Sequence, residues 1–285
     1  MNFEETEDRL GRLRLRRYLW RPDGVPRGGV AMVHGLGDHL RRYEHVARFF
    51  VARGFACAGV DFPGHGRSSG QRGHIPSWQL LAELLDENFR RLRDLAPQSR
   101  SGPGLFAHSM GAYVALDYLG RKNVRVQFVW LSSPLIQPSH GRPEWLVRMA
   151  GPLGRWLPRV PYDTHVRSGD CVVKEDAQRD AERAEDPYLH HRTTLGFGRE
   201  LVLREGAIRE GARLLDADCD LLITHGTEDR VCPYHLSREL FERLPLTHKR
   251  FVSLEGERHE PLHGDRQGAV FTAAAEWLDQ AVLSR

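Results

Sequence analysis

The chain has 285 residues, 40% of them hydrophobic and 28% charged, with a formal net charge of +3 at neutral pH. Both signs are interspersed, which describes a folded globular protein and excludes a disordered one, and the positive excess is too small to imply a nucleic-acid partner. No run approaches the roughly 18 apolar residues of a membrane span, and the four cysteines (Cys57, Cys171, Cys219, Cys232) lack CxxC spacing, so plain packing in a reducing compartment is expected.

The opening MNFEETEDRL is acidic and has no apolar centre, so it does not read as a secretory leader, and a cytoplasmic location is expected. The basic run from Arg9 to Arg17 alternates Leu and Arg and predicts a half-exposed strand. VAMV (30–33) predicts a buried strand running into HGLGDH, whose glycines let the chain turn off the sheet and leave the Leu36 N–H free to bind an oxyanion. FACAGV (55–60) is a further strand, followed by the tight loop DFPGHGRSSG, in which Asp61 reads as a brace. Leu80, Leu81, Leu84, Leu85 and Leu92 then repeat at helical spacing.

LFA (105–107) leads into FAHSMGAYVAL, the GxSxG elbow pattern with Ala107 at the first glycine. So sharp a strand-to-helix turn holds Ser109 in strained backbone and demands small residues two positions away; Ala adds one methyl group. The turn aims the Met110 N–H and the positive end of the next helix, marked by Val114, Ala115, Tyr118 and Leu119, at the place where a tetrahedral oxyanion would form. Taken alone, the pattern also fits a serine in an ordinary helix cap.

After the strand VQFVWL (126–131), more than eighty residues separate Ser132 from about position 218, where a crossover of roughly thirty would suffice. This insertion carries Trp145, Met149, Leu153 and Trp156 at helical intervals, with Gly151-Pro152 predicting a break or kink. The stripe is either the insertion's own core, the wall of an apolar substrate channel, or a face that touches a membrane surface. LLIT (221–224) precedes THGTEDRVCP, which offers Asp229, with Glu228 one residue away as the competing acid. RFVSL (250–254) precedes GERHE and His259, and a last helix is predicted from about 267 to 282.

Strands alternating with helices predict a mainly parallel sheet covered on both faces, with ligand-binding loops at the carboxyl ends of the strands. An activated serine needs a base and an orienting carboxylate, in the chain order Ser109, Asp229, His259. HEPLH (259–263) matches the zinc-protease HExxH letter for letter, but Pro261 within it and Gly264 after it oppose a continuous helix, so no metal and no other cofactor is expected.

HGLGDHLRRYEHVARFF, DFPGHGRSSG, AHSMG, GTEDRVC and GERHE together resemble the α/β-hydrolase branch that contains monoacylglycerol lipases, bacterial lysophospholipases and proteins labelled serine aminopeptidase S33. The resemblance implies an α/β-hydrolase core from residues 1–134 and 205–285 and an inserted helical cap at 135–204, ending near DPYLHHRTT. It also matches Asp38, Arg42 and His263 to groups that hold a glycerol moiety, although Asp38 is shorter than the usual Glu and His263 lies four residues past His259, not three. Asp38 and Arg42 read equally well as a surface ion pair at the site mouth, and His190 and His191 as surface or cap residues. Trp145 and Met149 are candidate contacts for an acyl chain. The expected activity is a serine ester hydrolase acting on a small single-chain lipid-like ester, with no nucleic-acid partner and with membrane contact through the cap. A thioesterase, acyltransferase or peptidase with the same triad, or a weakly catalytic binding protein on the same scaffold, are the competing readings.

Overall fold

A computed structural model describes residues 1–97, 99, 102–122, 124–172, 185–211, 219–264 and 266–280. Its main sheet contains β1 (Asn2–Leu10), β2 (Leu13–Arg21), β3 (Gly28–Val33), β4 (Phe55–Val60), β5 (Gly104–His108) and β6 (Phe128–Ser132), while β7 (Pro161–Asp163) and β8 (Arg192–Thr194) form a separate ribbon. With β9 (Asp220–Gly226) and β10 (Lys249–Leu254), the eight-stranded order is β1-β2-β4-β3-β5-β6-β9-β10. The pairs β1–β2 and β2–β4 are antiparallel and the remaining pairs parallel, the mainly parallel α/β sheet expected.

Side chains two residues apart share a face of a strand, and this divides the core. Val30 and Met32 join Phe106, Trp130 and Leu222 on one side, beneath α1 (Glu44–Val51). Ala31 and Val33 join Leu105, Leu131 and Ile223 on the other, beneath α2 (Trp78–Leu95) and α3 (Met110–Lys122). The central strands are buried on both faces, so they read in sequence as continuous apolar runs without alternation.

The insertion between β6 and β9 contributes α4 (Glu144–Trp156), the short α5 (Ser168–Cys171) and α6 (Leu195–Gly211). Helix α6 packs on α3 and on α4, and it runs straight through positions 204 and 205, where the core was expected to resume. Helices α7 (Tyr234–Arg243) and α8 (Gln267–Leu278) follow the last two strands. The described helix α8 ends at Leu278, and positions 281–285, including the expected end at Val282, lie outside the described residues.

Three expectations need correction. The Arg9–Arg17 run is not one strand: Gly11, at φ +58°, turns the chain and divides the run between β1 and β2. Helix α4 is not broken at Gly151-Pro152 but continues through it, because the acceptor freed by the missing N–H is the carbonyl of Arg148, an exposed residue that water can reach. The Trp145, Met149 and Trp156 stripe is not the insertion's core, since these residues are 67%, 42% and 80% exposed, while Gly154 is the position of α4 that meets α6 at Arg199 and Leu195.

Candidate active site

Ser109 stands between β5 and α3 with φ +52°, in the left-handed region that costs an ordinary residue about 1–2 kcal/mol. The surrounding structure holds it there: its N–H donates to the Ser132 carbonyl at 3.0 Å and its own carbonyl accepts from Leu135 N–H at 3.1 Å. Gly111 is small for a reason, because a Cβ there would lie 2.5 Å from the His34 carbonyl oxygen and 2.6 Å from that of Val33. Gly35 also passes close, with a Cβ position 3.2 Å from that of Ser109. Ala107 is buried in the core face shared with α3, so the extra methyl is accommodated.

His259 lies in the loop after β10, with Nε2 2.9 Å from Ser109 Oγ and Nδ1 2.7 Å from Asp229 Oδ2. Asp229 lies in the loop after β9, and its Oδ1 accepts from the N–H groups of Val231 and Cys232 at 2.8 Å each. Burial alone would raise the Asp229 pKa; the positive charge of a protonated His259, with the donors from His225 and His259, outweighs it and holds the carboxyl below its ordinary range. Glu228, the competing acid, is exposed. The Met110 N–H lies in the first turn of α3 and so has no acceptor within the helix. Leu36 sits in the loop whose Gly35 touches Ser109.

The predicted brace Asp61 accepts from Leu40 N–H, Arg67 N–H and the Tyr18 hydroxyl, which ties the loop after β4 to the loop after β3. His34 adds a second tie: Nδ1–H donates to the Gly35 carbonyl at 2.7 Å and Nε2 accepts from Phe62 N–H at 3.0 Å.

Asp38 and Arg42 are not a surface pair at the mouth. Asp38 is buried and accepts from His39 N–H, the Arg42 guanidinium and the Tyr43 hydroxyl, while Arg42 reaches Glu260 at 2.7 Å. Burial would raise Asp38 and lower Arg42; the charge of Arg42 outweighs this at Asp38, and the charges of Glu260 and Asp38 outweigh it at Arg42. His108 lies against this group, its ring 4.9 Å from that of His259, and burial pushes its pKa down to about 3. Ligand atoms of Asp38, His108 and Glu260 lie within 4.8 Å of one another, but both carboxylates already pair with the Arg42 guanidinium. His263 meets the rings of Tyr43 and His45 edge-on, with centroids at 5.3 and 4.9 Å. HEPLH is thus a loop in which His259 and His263 face different partners, unlike two metal ligands one helical turn apart.

The insertion reaches the site through both backbone and side chains. His190 N–H donates to the Gly37 carbonyl at 3.0 Å, its ring Nε2 lies 3.1 Å from the Gly64 carbonyl, and Asp186 pairs with His39 at 2.8 Å. His190, read as a surface or cap residue, is therefore a half-buried wedge between loops, carried by the insertion. Arg258 donates to the carbonyls of Gly169 and Val172, and Glu260 N–H to that of Cys171, so the loop carrying His259 is tied to the insertion on both sides. Sequence reasoning missed Glu260, His108 and His225. The first two are direct chain neighbours of His259 and Ser109, a signal that adjacency could have supplied. The four cysteines are buried, and no helix among the described residues is long and apolar enough to cross a membrane.

Residues 24–267 match the family described as serine aminopeptidase, S33. The chain is 31% identical over 274 residues to a monoacylglycerol lipase of Mycolicibacterium smegmatis, covering 94% of each chain. A crystal structure of a Paleococcus ferrophilus monoacylglycerol lipase superposes with a TM-score of 0.81 at 28% identity, covering 93% of this chain and 98% of that one. A soluble variant of the monoglyceride lipase of Saccharomyces cerevisiae, in complex with a substrate analog, shares the fold at a TM-score of 0.81 and 19% identity, covering 98% of this chain and 95% of that one.

Proposed function

The chain belongs to the serine aminopeptidase S33 family of α/β-hydrolases, in its monoacylglycerol lipase-like branch, and from that premise we propose that it hydrolyses single-chain lipid esters through Ser109, His259 and Asp229. The observation that carries this reading is the unbroken hydrogen-bond line from Asp229 through both nitrogens of His259 to Ser109 Oγ, at 2.7 and 2.9 Å. Ser109 Oγ attacks the ester carbonyl as its proton passes to His259 Nε2, and the oxyanion is held by the N–H groups of Leu36 and Met110. His259 returns the proton to the leaving alcohol oxygen, which breaks the ester bond and leaves the acyl group on Ser109. Water, deprotonated by His259, then releases the fatty acid and restores the hydroxyl.

An ester fits better than a peptide with a free amino terminus. The buried carboxylates Asp38 and Glu260, in the loops after β3 and β10, are both paired with Arg42, so each already has a cationic partner in place of an α-ammonium group. Residues 135–204 act as a cap over the acyl site, and the exposed Trp145, Met149 and Trp156 on α4, interspersed with Arg148 and Arg155, form an amphipathic face suited to a lipid surface that presents the substrate.

The test is hydrolysis of an ester series of increasing acyl length, including a monoacylglycerol, by the wild type and Ser109→Ala with a chelator control. The expected result is a loss of roughly four to six orders of magnitude on removing the hydroxyl, indifference to the chelator, and preference for a long single chain. Equal rates in the two proteins overturn the assignment.

A further inference from the structure

His225 lies near the end of β9 with its side chain fully buried. Its Nε2 is 2.9 Å from Asp229 Oδ2 and 2.9 Å from the Cys232 carbonyl oxygen, and its Nδ1 is 2.9 Å from Ser237 Oγ on α7. Two acceptors face Nε2, so the proton belongs there; Nδ1 then accepts from the Ser237 hydroxyl. Asp229 Oδ2 thus receives N–H groups from two imidazoles, His225 at 2.9 Å and His259 at 2.7 Å, while Oδ1 receives two backbone N–H groups. Four donors fill the lone-pair sites of a carboxylate. Rotating the carboxylate away from His259 would break the other three bonds as well.

We propose that His225 is a positioning residue for the acid, holding Asp229 ionised and aimed at His259 Nδ1, with the Ser237 hydroxyl fixing the His225 tautomer. This rests on the reading of Ser109, His259 and Asp229 as the reacting triad. The groups that face the pair are the Cys232 thiol, the Tyr234 ring 5.7 Å from that of His225, and beyond His259 the ring of His108. Burial keeps the thiol protonated and His108 neutral near pH 7, so of these groups it is His225 that donates to Asp229. Without that donor the carboxylate draws more strongly on the imidazole proton of His259, and less of the base is free at a given pH.

The experiment measures kcat and KM against pH on a short soluble ester for the wild type, His225→Leu, His225→Gln, Ser237→Ala and Asp229→Asn, with thermal unfolding alongside. His225→Leu is expected to lower kcat roughly 10- to 100-fold, leave KM nearly unchanged and move the acid limb of kcat/KM to higher pH. His225→Gln, whose amide N–H still donates to Asp229, restores most of the rate and returns the limb towards its place. Ser237→Ala moves the limb the same way by less. Wild-type kcat in His225→Leu, or a loss that Gln does not relieve and that leaves the limb unmoved, overturns the proposal. Should His225→Leu fail to fold, Ser237→Ala keeps the imidazole in place and carries the test, and an unmoved limb there counts against it. An inactive Asp229→Asn beside an unaffected His225→Leu sinks this inference alone, whereas an active Asp229→Asn sinks the triad reading beneath it.

Discussion

Replacing Asp229 by Asn removes a single charge and leaves the shape intact, so the surrounding hydrogen bonds decide the outcome. One side of the carboxylate faces the N–H groups of Val231 and Cys232, each at 2.8 Å, and the other faces His225 and His259. An asparagine amide has one accepting and one donating end. Turned with its NH2 toward the two fixed backbone donors, it would lose both bonds and gain a donor–donor clash. It therefore keeps its oxygen there and points NH2 at the imidazoles, of which His259 can adjust by changing tautomer. His259 must then accept at Nδ1, which places its proton on Nε2, 2.9 Å from Ser109 Oγ. The serine hydroxyl now faces a donor, and no base can take its proton. The expected loss in kcat near neutral pH is about 10³- to 10⁴-fold, or about 4 to 5.5 kcal/mol of transition-state stabilisation. Initial rates of ester hydrolysis, with unfolding curves to confirm the fold, measure it. Residual activity above a tenth of the wild type would refute the reasoning, as would an equal loss in Glu228→Gln with Asp229→Asn unaffected.

Gly111→Ala places a methyl group 2.5 to 2.6 Å from two backbone carbonyls, which forces α3 and the loop after β3 apart. A loss of about 1–3 kcal/mol in stability, with a larger proportional loss of activity, is expected, and wild-type values of both would contradict the packing argument. Arg42→Met leaves Asp38 and Glu260 buried without their guanidinium and is expected to cost about 3–5 kcal/mol in chemical unfolding; a change under 1 kcal/mol would mean that the ion pairs contribute nothing net. His108 is held neutral in the folded state down to about pH 3, whereas the unfolded chain protonates it near 6.5. Its contribution is thus complete above pH 6.5 and lost as pH falls towards 3, at about 1.4 kcal/mol per pH unit in that window, and unfolding free energies that stay level from pH 7 to 5 would argue against a buried neutral imidazole. Trp145→Ala with Trp156→Ala should weaken binding to anionic lipid vesicles roughly tenfold while sparing hydrolysis of a soluble short-chain ester, and unchanged vesicle binding would remove the α4 face as the contact.

The site was legible because its parts are local. Ser109 is announced by small residues at fixed offsets in one turn, and Asp229 and His259 each follow a strand whose β-branched run is plain in sequence. Tertiary packing hid the rest. β1 carries little apolar signal because it is an edge strand whose Glu7 and Asp8 pair with Arg16 and Arg17 across the hairpin, and the Leu-Arg alternation runs on through the turn at Gly11. Helix α4 tolerates Pro152 because the lost bond faces water, which the letters Gly-Pro do not reveal. The burial of Asp38 and Arg42 depends on Glu260, more than two hundred residues away in the chain, and the contact of His225 with Asp229 depends on how tightly the loop after β9 closes. Periodicity reports neither.

The most direct measurement is covalent trapping with a long-chain alkyl phosphonate ester, which an activated serine attacks but does not release. Peptide mapping by mass spectrometry should find one equivalent of the label on the peptide holding Ser109, none in Ser109→Ala, and hydrolysis lost in proportion to labelling. Full occupancy at a different residue, or continued monoacylglycerol turnover by fully labelled protein, would contradict the account.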